Sequence, residues 1–185
     1  MIDVNQLRRG ITFLQDDNLF KVLDYSHHKP GRGKATIRIT ARNVRTGATV
    51  PMTFNSSDRV EDVRVDKRSA QYLYDDGQFY VFMDTETYEQ SFVNHSMFEE
   101  HEDYLKETME LELLFYGREV VDYNLPQSMD FEVVEAENAV AGDTATGATK
   151  EVITETGLKV KTPLFVNIGD KIRVNTAEGT YITRV

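Results

Sequence analysis

The sequence of 185 residues contains no cysteine and no tryptophan, and only four prolines. Without cysteine, the chain has no disulfide, no thiolate metal site and no cysteine nucleophile. It also lacks any apolar run near the ~20 residues of a membrane-spanning helix, which excludes a protein that crosses a membrane in that way. Because the first ten residues (MIDVNQLRRG) are polar, we expect no signal peptide and a cytoplasmic protein.

Catalytic and metal-binding signatures are missing as well. The sequence has no G-x-S-x-G elbow, and its GRGK segment lacks the first glycine and the final serine or threonine of a Walker A loop. His27 and His28 are adjacent, so in a strand they would point to opposite faces, and His95 and His101 belong to no H-E-x-x-H motif. We predict that the protein is not an enzyme and has no catalytic residues, no cofactor and no metal.

Charge is distributed unevenly along the chain, although the formal net charge is −10. Residues 1–64 contain 11 Lys/Arg against 7 Asp/Glu, residues 65–126 contain 4 against 15, and residues 127–185 contain 6 against 9. The acidic total argues against non-specific binding of nucleic acid by the whole chain. A basic first part on an acidic body indicates that the two parts meet different partners. The alternative is that the asymmetry serves solubility alone.

Short strands separated by turns account for most of the sequence. In residues 35–44 (ATIRITARNV), apolar side chains alternate with polar or basic ones, which predicts a half-buried strand with a basic outer face. Asp75-Asp76-Gly77 separates two further strands and is typical of a hairpin turn. Ser96 and Glu99 form a capping box, so we predict one helix over about 96–109. We therefore predict a mainly β protein with three small barrels, at 1–64 (SH3-like), 65–126 (OB-fold) and 127–185 (OB-fold).

The clearest local motif is a basic, glycine-rich segment between the first long strand and residues 35–44. Two glycines permit positive φ and a close approach to another surface, and the arginine between them is unshielded by neighbouring side chains. A guanidinium in that position can bind phosphate or stack on bases. This pattern predicts an RNA-contacting hairpin tip, whereas the simpler alternative is a solvated turn with incidental charge. The segment consists of Lys29, Pro30, Gly31, Arg32, Gly33 and Lys34.

These motifs together resemble the bacterial elongation factor P family over nearly the full length of the chain. The matching segments are the K-P-G-[KR]-G tip at 29–33, TFNS at 53–56, QYLY at 71–74, FMD at 82–84, YEQ at 88–90, GDT at 142–144, Lys150, ETG at 155–157 and PLFV at 163–166 with Gly169. Two positions depart from the family pattern: Val152 stands where alanine is favoured, and Thr162 stands where an apolar residue usually precedes Pro163. We interpret both as packing variants.

The resemblance implies a fold, a function and partners. It implies an SH3-like (KOW-like) domain followed by two OB domains in an elongated, tRNA-like arrangement. It also implies a monomeric translation factor that binds both ribosomal subunits beside peptidyl-tRNA. In this family the N-terminal hairpin reaches towards the peptidyl transferase centre and steadies the CCA end of the peptidyl-tRNA, which relieves stalling at consecutive prolines.

The resemblance further implies roles for individual residues. Lys29 to Lys34 would form the loop that contacts tRNA. Arg32 would be the functional tip and a site of rhamnosylation, with an arginine-modifying glycosyltransferase as an additional partner. Gly142, Asp143 and Thr144 would approach the exit-site codon on the small subunit. Two alternatives stay open: a general single-stranded-RNA-binding OB-domain protein, and an elongation-factor-P-like paralogue.

Overall fold

Three antiparallel β-sheets follow one another along the chain. The computed structural model describes residues 1–29, 35–138 and 147–185. The first sheet contains β1 (Ile2–Asp3), β2 (Thr12–Gln15), β3 (Asn18–His28), β4 (Thr36–Asn43), β5 (Thr49–Asn55) and β6 (Arg59–Asp62), in the order β1-β6-β2-β3-β4-β5. We call the part of the chain built on this sheet the first domain.

The second and third domains each contain a five-stranded sheet. The second sheet consists of β7 (Asp66–Asp75), β8 (Phe79–Asp84), β9 (Gln90–Asn94), β10 (Glu110–Tyr116) and β11 (Glu119–Asn124), in the order β11-β10-β7-β8-β9. The third consists of β12 (Ser128–Ala136), β13 (Thr149–Thr154), β14 (Lys159–Pro163), β15 (Lys171–Asn175) and β16 (Thr180–Arg184), in the order β14-β13-β12-β15-β16. The prediction of a mainly β protein is confirmed.

Side-chain alternation directs each sheet onto its own core. In β4, Ile37, Ile39 and Ala41 are buried, while the side chains between them, including exposed Arg38, face outward. The predicted alternation of this strand is therefore confirmed. Each domain has its own hydrophobic cluster, which we call the first, second and third core. Their fully buried aromatic side chains include Phe13, Phe82 and Phe131, in that order. Burying several such side chains in each cluster is the main driving force for each barrel.

The predicted helix over about 96–109 is wrong. This region forms two 3₁₀ helices, His95–Met97 and Glu102–Tyr104, and a third one lies at Val4–Gln6. Asn94 caps the first of the two turns by accepting a hydrogen bond from the backbone N–H of Ser96 at 3.0 Å. Phe98 packs in the second core and Tyr104 in the third, so the chain must turn between them instead of continuing as one helix. None of the helices in the described ranges is long and apolar enough to span a membrane.

Tyr104 joins the second domain to the third. Its side chain is only 6% exposed and its ring centroid lies 6.1 Å from that of Phe131, in an edge-on arrangement. Nearby, the Lys106 ammonium group binds the Glu155 carboxylate, which also accepts a hydrogen bond from the backbone N–H of Glu132 at 3.3 Å. The Lys106 hydrogen bond is the main reason that the pKa of Glu155 lies below its ordinary value.

Candidate functional site

The hairpin formed by β3 and β4 places the predicted tip segment at one end of the first domain. The last register pairs before the tip are His27 with Ile37 and His28 with Thr36. Strand β5 supports this end of the hairpin, because Thr36 also pairs with Asn55 and the Ser56 N–H donates to the Ala35 carbonyl at 3.0 Å. The base of the tip is thus held by three strands.

The distal part of the hairpin is largely exposed on its β3 side. Asp24, Ser26, His27, His28 and Lys29 are all exposed, in contrast to the buried residues nearer the start of the same strand. Only the β3 side of the stem leaves the core here, because Ile37 on β4, the register partner of His27, stays fully buried. The end of β3 therefore presents its side chains to solvent, where a partner can reach them.

The structure describes only part of the predicted tip. Lys29 lies at the end of the stem and is exposed. The other predicted tip residues lie outside the described residues; these are Pro30, Gly31, Arg32, Gly33 and Lys34.

The second predicted loop, Gly142, Asp143 and Thr144, also lies outside the described residues. The strands on either side of it are described: β12 ends with Ala136 in register with Val152 of β13, and the Glu137 N–H donates to the Glu151 carbonyl at 3.1 Å.

The two departures from the family pattern are buried. Val152 and Thr162 have no exposed surface. They lie on adjacent antiparallel strands and face the third core. Their burial agrees with the interpretation of both as packing variants, which stays a prediction.

The histidines of the second domain have local side-chain partners. The His95 ring lies 2.8 Å from a carboxylate oxygen of Asp75 and packs on Tyr80, at 4.3 Å between ring centroids. The His101 Nδ1 atom lies 2.7 Å from the Tyr123 hydroxyl. Burial lowers the pKa of His101 and raises the pKa of Tyr123, so this pair is neutral at physiological pH. Within the described ranges, no group of three or more His, Cys, Asp or Glu side chains could hold a metal ion.

Sequence reasoning missed the ion pairs that join the first domain to the second. In the described part of the chain, four cations of the first domain bind carboxylates of the second; the pairs are Arg9–Glu100, Lys21–Asp122, Arg42–Glu99 and Arg45–Glu119. The unequal charge of the two parts was the available signal. We had interpreted this unequal charge as a sign of different partners, whereas the basic first domain and the acidic second domain also bind each other.

Three family models cover the chain in sequence order. The "Elongation factor P (EF-P) KOW-like domain" matches residues 3–60, the "Elongation factor P (EF-P) OB domain" matches 65–123, and "Elongation factor P, C-terminal" matches 129–184. Elongation factor P of Caldanaerobacter subterraneus subsp. tengcongensis is 42% identical and that of a Thermoanaerobacter species is 43% identical, each over 100% of both chains.

The chain belongs to the elongation factor P family. It is therefore a translation elongation factor, with a KOW-like domain followed by OB-type barrels. A solved structure of eukaryotic translation initiation factor 5A from Methanococcus jannaschii is also similar, with 26% identity and a TM-score of 0.45 over 66% of this chain and 91% of that one.

Proposed function

We propose that this elongation factor P protein binds the ribosome beside peptidyl-tRNA and promotes peptide-bond formation at consecutive prolines. The observation that carries the proposal is the β3–β4 hairpin, a three-stranded stem with exposed distal residues that leads into the K-P-G-R-G segment. A rigid stem with a basic tip suits a factor that reaches into a narrow, RNA-lined site.

The chemistry needs a positioning factor more than a catalytic group. Proline is a rigid and poor nucleophile, so correct placement of the reacting ends can dominate the rate of bond formation. Lys29, Arg32 and Lys34 would bind phosphates or bases of the peptidyl-tRNA 3′ end, because guanidinium and ammonium groups pair with phosphate and a guanidinium also stacks. The protein would act without chemistry of its own, and so not as an enzyme.

We propose two further sites from the family resemblance. Arg32 would carry a rhamnose added by an arginine-modifying glycosyltransferase, which would extend the reach of the tip. Gly142, Asp143 and Thr144 would contact the exit-site codon on the small subunit. With these contacts the protein would engage both subunits as a monomer in the cytoplasm, with no other cofactor.

The proposal is tested by translating a message that encodes three successive prolines in a reconstituted system. Wild-type protein from the native host should increase full-length product, with no gain on a proline-free message. Arg32→Ala should lose that gain, whereas Arg118→Ala, at an exposed arginine between β10 and β11 of the second domain, should keep it. Equal thermal stability of the two variants would show that the loss is not caused by unfolding. Normal rescue by Arg32→Ala would contradict the tip assignment.

The same native sample should be digested and the mass of the tip peptide measured. A mass increase of one deoxyhexose on the peptide that contains Arg32 would support the modification. An unmodified peptide in a sample that rescues translation would contradict it.

A further inference from the structure

Two cations lie directly opposite each other on the stem of the hairpin. Lys21 of β3 and Arg42 of β4 are register partners, so their side chains leave the sheet on the same face. Like charges placed directly opposite on neighbouring strands repel and destabilise the pairing. Within the first domain alone, this pair weakens the stem that carries the tip.

The second domain supplies the compensating groups. The Lys21 ammonium lies 2.6 Å from a carboxylate oxygen of Asp122, and Arg42 donates to the Ser96 carbonyl at 2.7 Å and to the Glu99 carboxylate at 3.0 Å. The side chains of Lys21, Asp122 and Arg42 are 30%, 16% and 18% exposed. Ion pairs that are partly withdrawn from water are screened less than exposed ones, so the Lys21–Asp122 pair holds the stem more firmly than a surface pair would. Glu99 is 70% exposed, so the firmer contact of Arg42 is its hydrogen bond to the Ser96 carbonyl.

These contacts lie far from the end of the hairpin, so a small change of angle at Lys21 displaces that end by a large distance. A β-bulge between Val22 and Asp24 follows immediately and bends the strand, which sets the direction of the distal stem. From Lys21 to Lys29 the strand covers about 26 Å, at roughly 3.3 Å per residue. Over that length, a tilt of about 5° moves the end of the stem by about 2 Å, and misplacement of that size is costly in reactions that depend on positioning.

We propose that Lys21 and Arg42 are positioning residues: with Asp122 and Glu99 of the second domain, they clamp the hairpin stem and fix the place of its end at Lys29 relative to the second domain. The functional part of this inference rests on the proposed role of the tip in translation. The clamp itself involves only this chain and can be measured without the ribosome.

Charge reversal and charge exchange test the clamp. The variants are Lys21→Glu, Asp122→Lys and the double variant that carries both. Asp122→Asn is a milder change if charge reversal prevents folding. Lys67→Glu is the matched control, because Lys67 pairs with Glu112 at 3.9 Å within the second sheet and the substitution makes the same change of charge.

The absence of native cysteine permits a direct distance measurement. Cysteines introduced at exposed His27 on the stem and at exposed Gln78 on the second domain would be the only thiols, and they can carry spin labels. We expect one narrow distance distribution for the parent and the Lys67→Glu control. Lys21→Glu should broaden it, and the double variant should restore it.

Variants with a broader distance distribution should also translate the three-proline message less well. Lys21→Glu should lower the gain in full-length product about tenfold, and the double variant should recover most of it. A narrow, parent-like distribution in Lys21→Glu, or no recovery in the double variant, would overturn the clamp. If the parent gave no rescue at all, the proposed function would fail, while the distance distributions would still decide whether the clamp exists.

Discussion

Gly47 illustrates how one backbone conformation permits a contact between two domains. It has a φ of +75°, and a Cβ atom built there would lie 2.7 Å from the Ser96 hydroxyl oxygen and 3.0 Å from the Ser96 Cβ. The hydroxyl could rotate away, but the Ser96 Cβ belongs to the segment whose carbonyl accepts a hydrogen bond from Arg42. The glycine therefore serves both the turn and the close approach of the second domain.

Gly47→Ala should destabilise the protein more than an alanine at a glycine without neighbours. Gly77 has a φ of +91° and nothing within 4 Å of its Cβ position, so Gly77→Ala measures backbone strain alone. We expect a loss of about 1 kcal/mol for Gly77→Ala, and about 2 kcal/mol for Gly47→Ala because steric crowding is added. Urea unfolding compares the two variants, and equal losses would contradict the role given to the contact with Ser96.

Asp84 shows how a single carboxylate organises a turn. Its Oδ1 atom accepts hydrogen bonds from the backbone N–H groups of Glu86 at 2.8 Å and Thr87 at 2.9 Å. These bonds, the one from Thr87 first, hold the pKa of Asp84 below its ordinary value. The turn also holds Tyr88 at a φ of +60°, a conformation that a bulky side chain seldom adopts.

The stabilisation from Asp84 should depend on pH. Because the folded pKa is lowered, its contribution is complete above the unfolded pKa of about 4 and is lost as the pH falls through the folded value. Asp84→Asn should cost about 1 kcal/mol near pH 6, and the difference from wild type should vanish at strongly acidic pH. Urea unfolding between pH 6 and pH 2.5 measures this, with Asp66→Asn, at the exposed start of β7, as the control. A difference that stays constant with pH would contradict the account.

At the scale of elements, the sequence predicted the alternation within strand β4 but not how that strand pairs with β3 or how residues 96–109 fold. The alternation in β4 is confirmed because an inward face of Ile37, Ile39 and Ala41 is a local pattern. The pairing of Lys21 with Arg42 could not be predicted, since the bulge between Val22 and Asp24 shifts the register by one residue. The helix predicted over residues 96–109 is wrong for a similar reason, because contacts with two different cores override the local capping signal there. The domain boundaries after residues 64 and 126 stay predictions.

The short segment that carries Tyr104 should couple the second domain to the third. Tyr104→Ala removes a large buried side chain from the third core and should lower the free energy of unfolding by about 3 kcal/mol. We also expect the urea transition to split into two, because the two barrels lose their shared contact. Tyr88→Ala, at a tyrosine that is 71% exposed, should change neither. A single transition at the wild-type midpoint in Tyr104→Ala would contradict this role.

At the scale of the whole molecule, ion pairs help to hold the first domain against the second. Part of the basic charge of residues 1–64 is paired within the protein, with carboxylates of the second domain. The cations are Arg9, Lys21, Arg42 and Arg45. Composition revealed the asymmetry, but it could not reveal which cations face the second domain. The acidic second and third domains then limit binding to RNA at other places.

Free single-stranded RNA should therefore bind weakly. Titration of a labelled oligonucleotide at physiological salt should give no saturation below about 10 µM, which lies within the ordinary range of non-specific affinity. The titration should be repeated at low salt with wild type and Arg32→Ala, because binding that the variant loses would come from the basic tip. Tight, salt-sensitive binding would contradict this account and favour a general RNA-binding protein.

The central claim is most directly tested by the rate of a single peptide bond. Ribosomes that hold a peptidyl-prolyl-tRNA would react with prolyl-tRNA, with and without the native protein, and a peptidyl-phenylalanyl-tRNA reacting with phenylalanyl-tRNA would be the control. We predict a large acceleration of the proline reaction and none of the control, because positioning limits only the former. No acceleration, or the same acceleration of both reactions, would contradict the claim that this protein positions peptidyl-tRNA for bond formation between prolines.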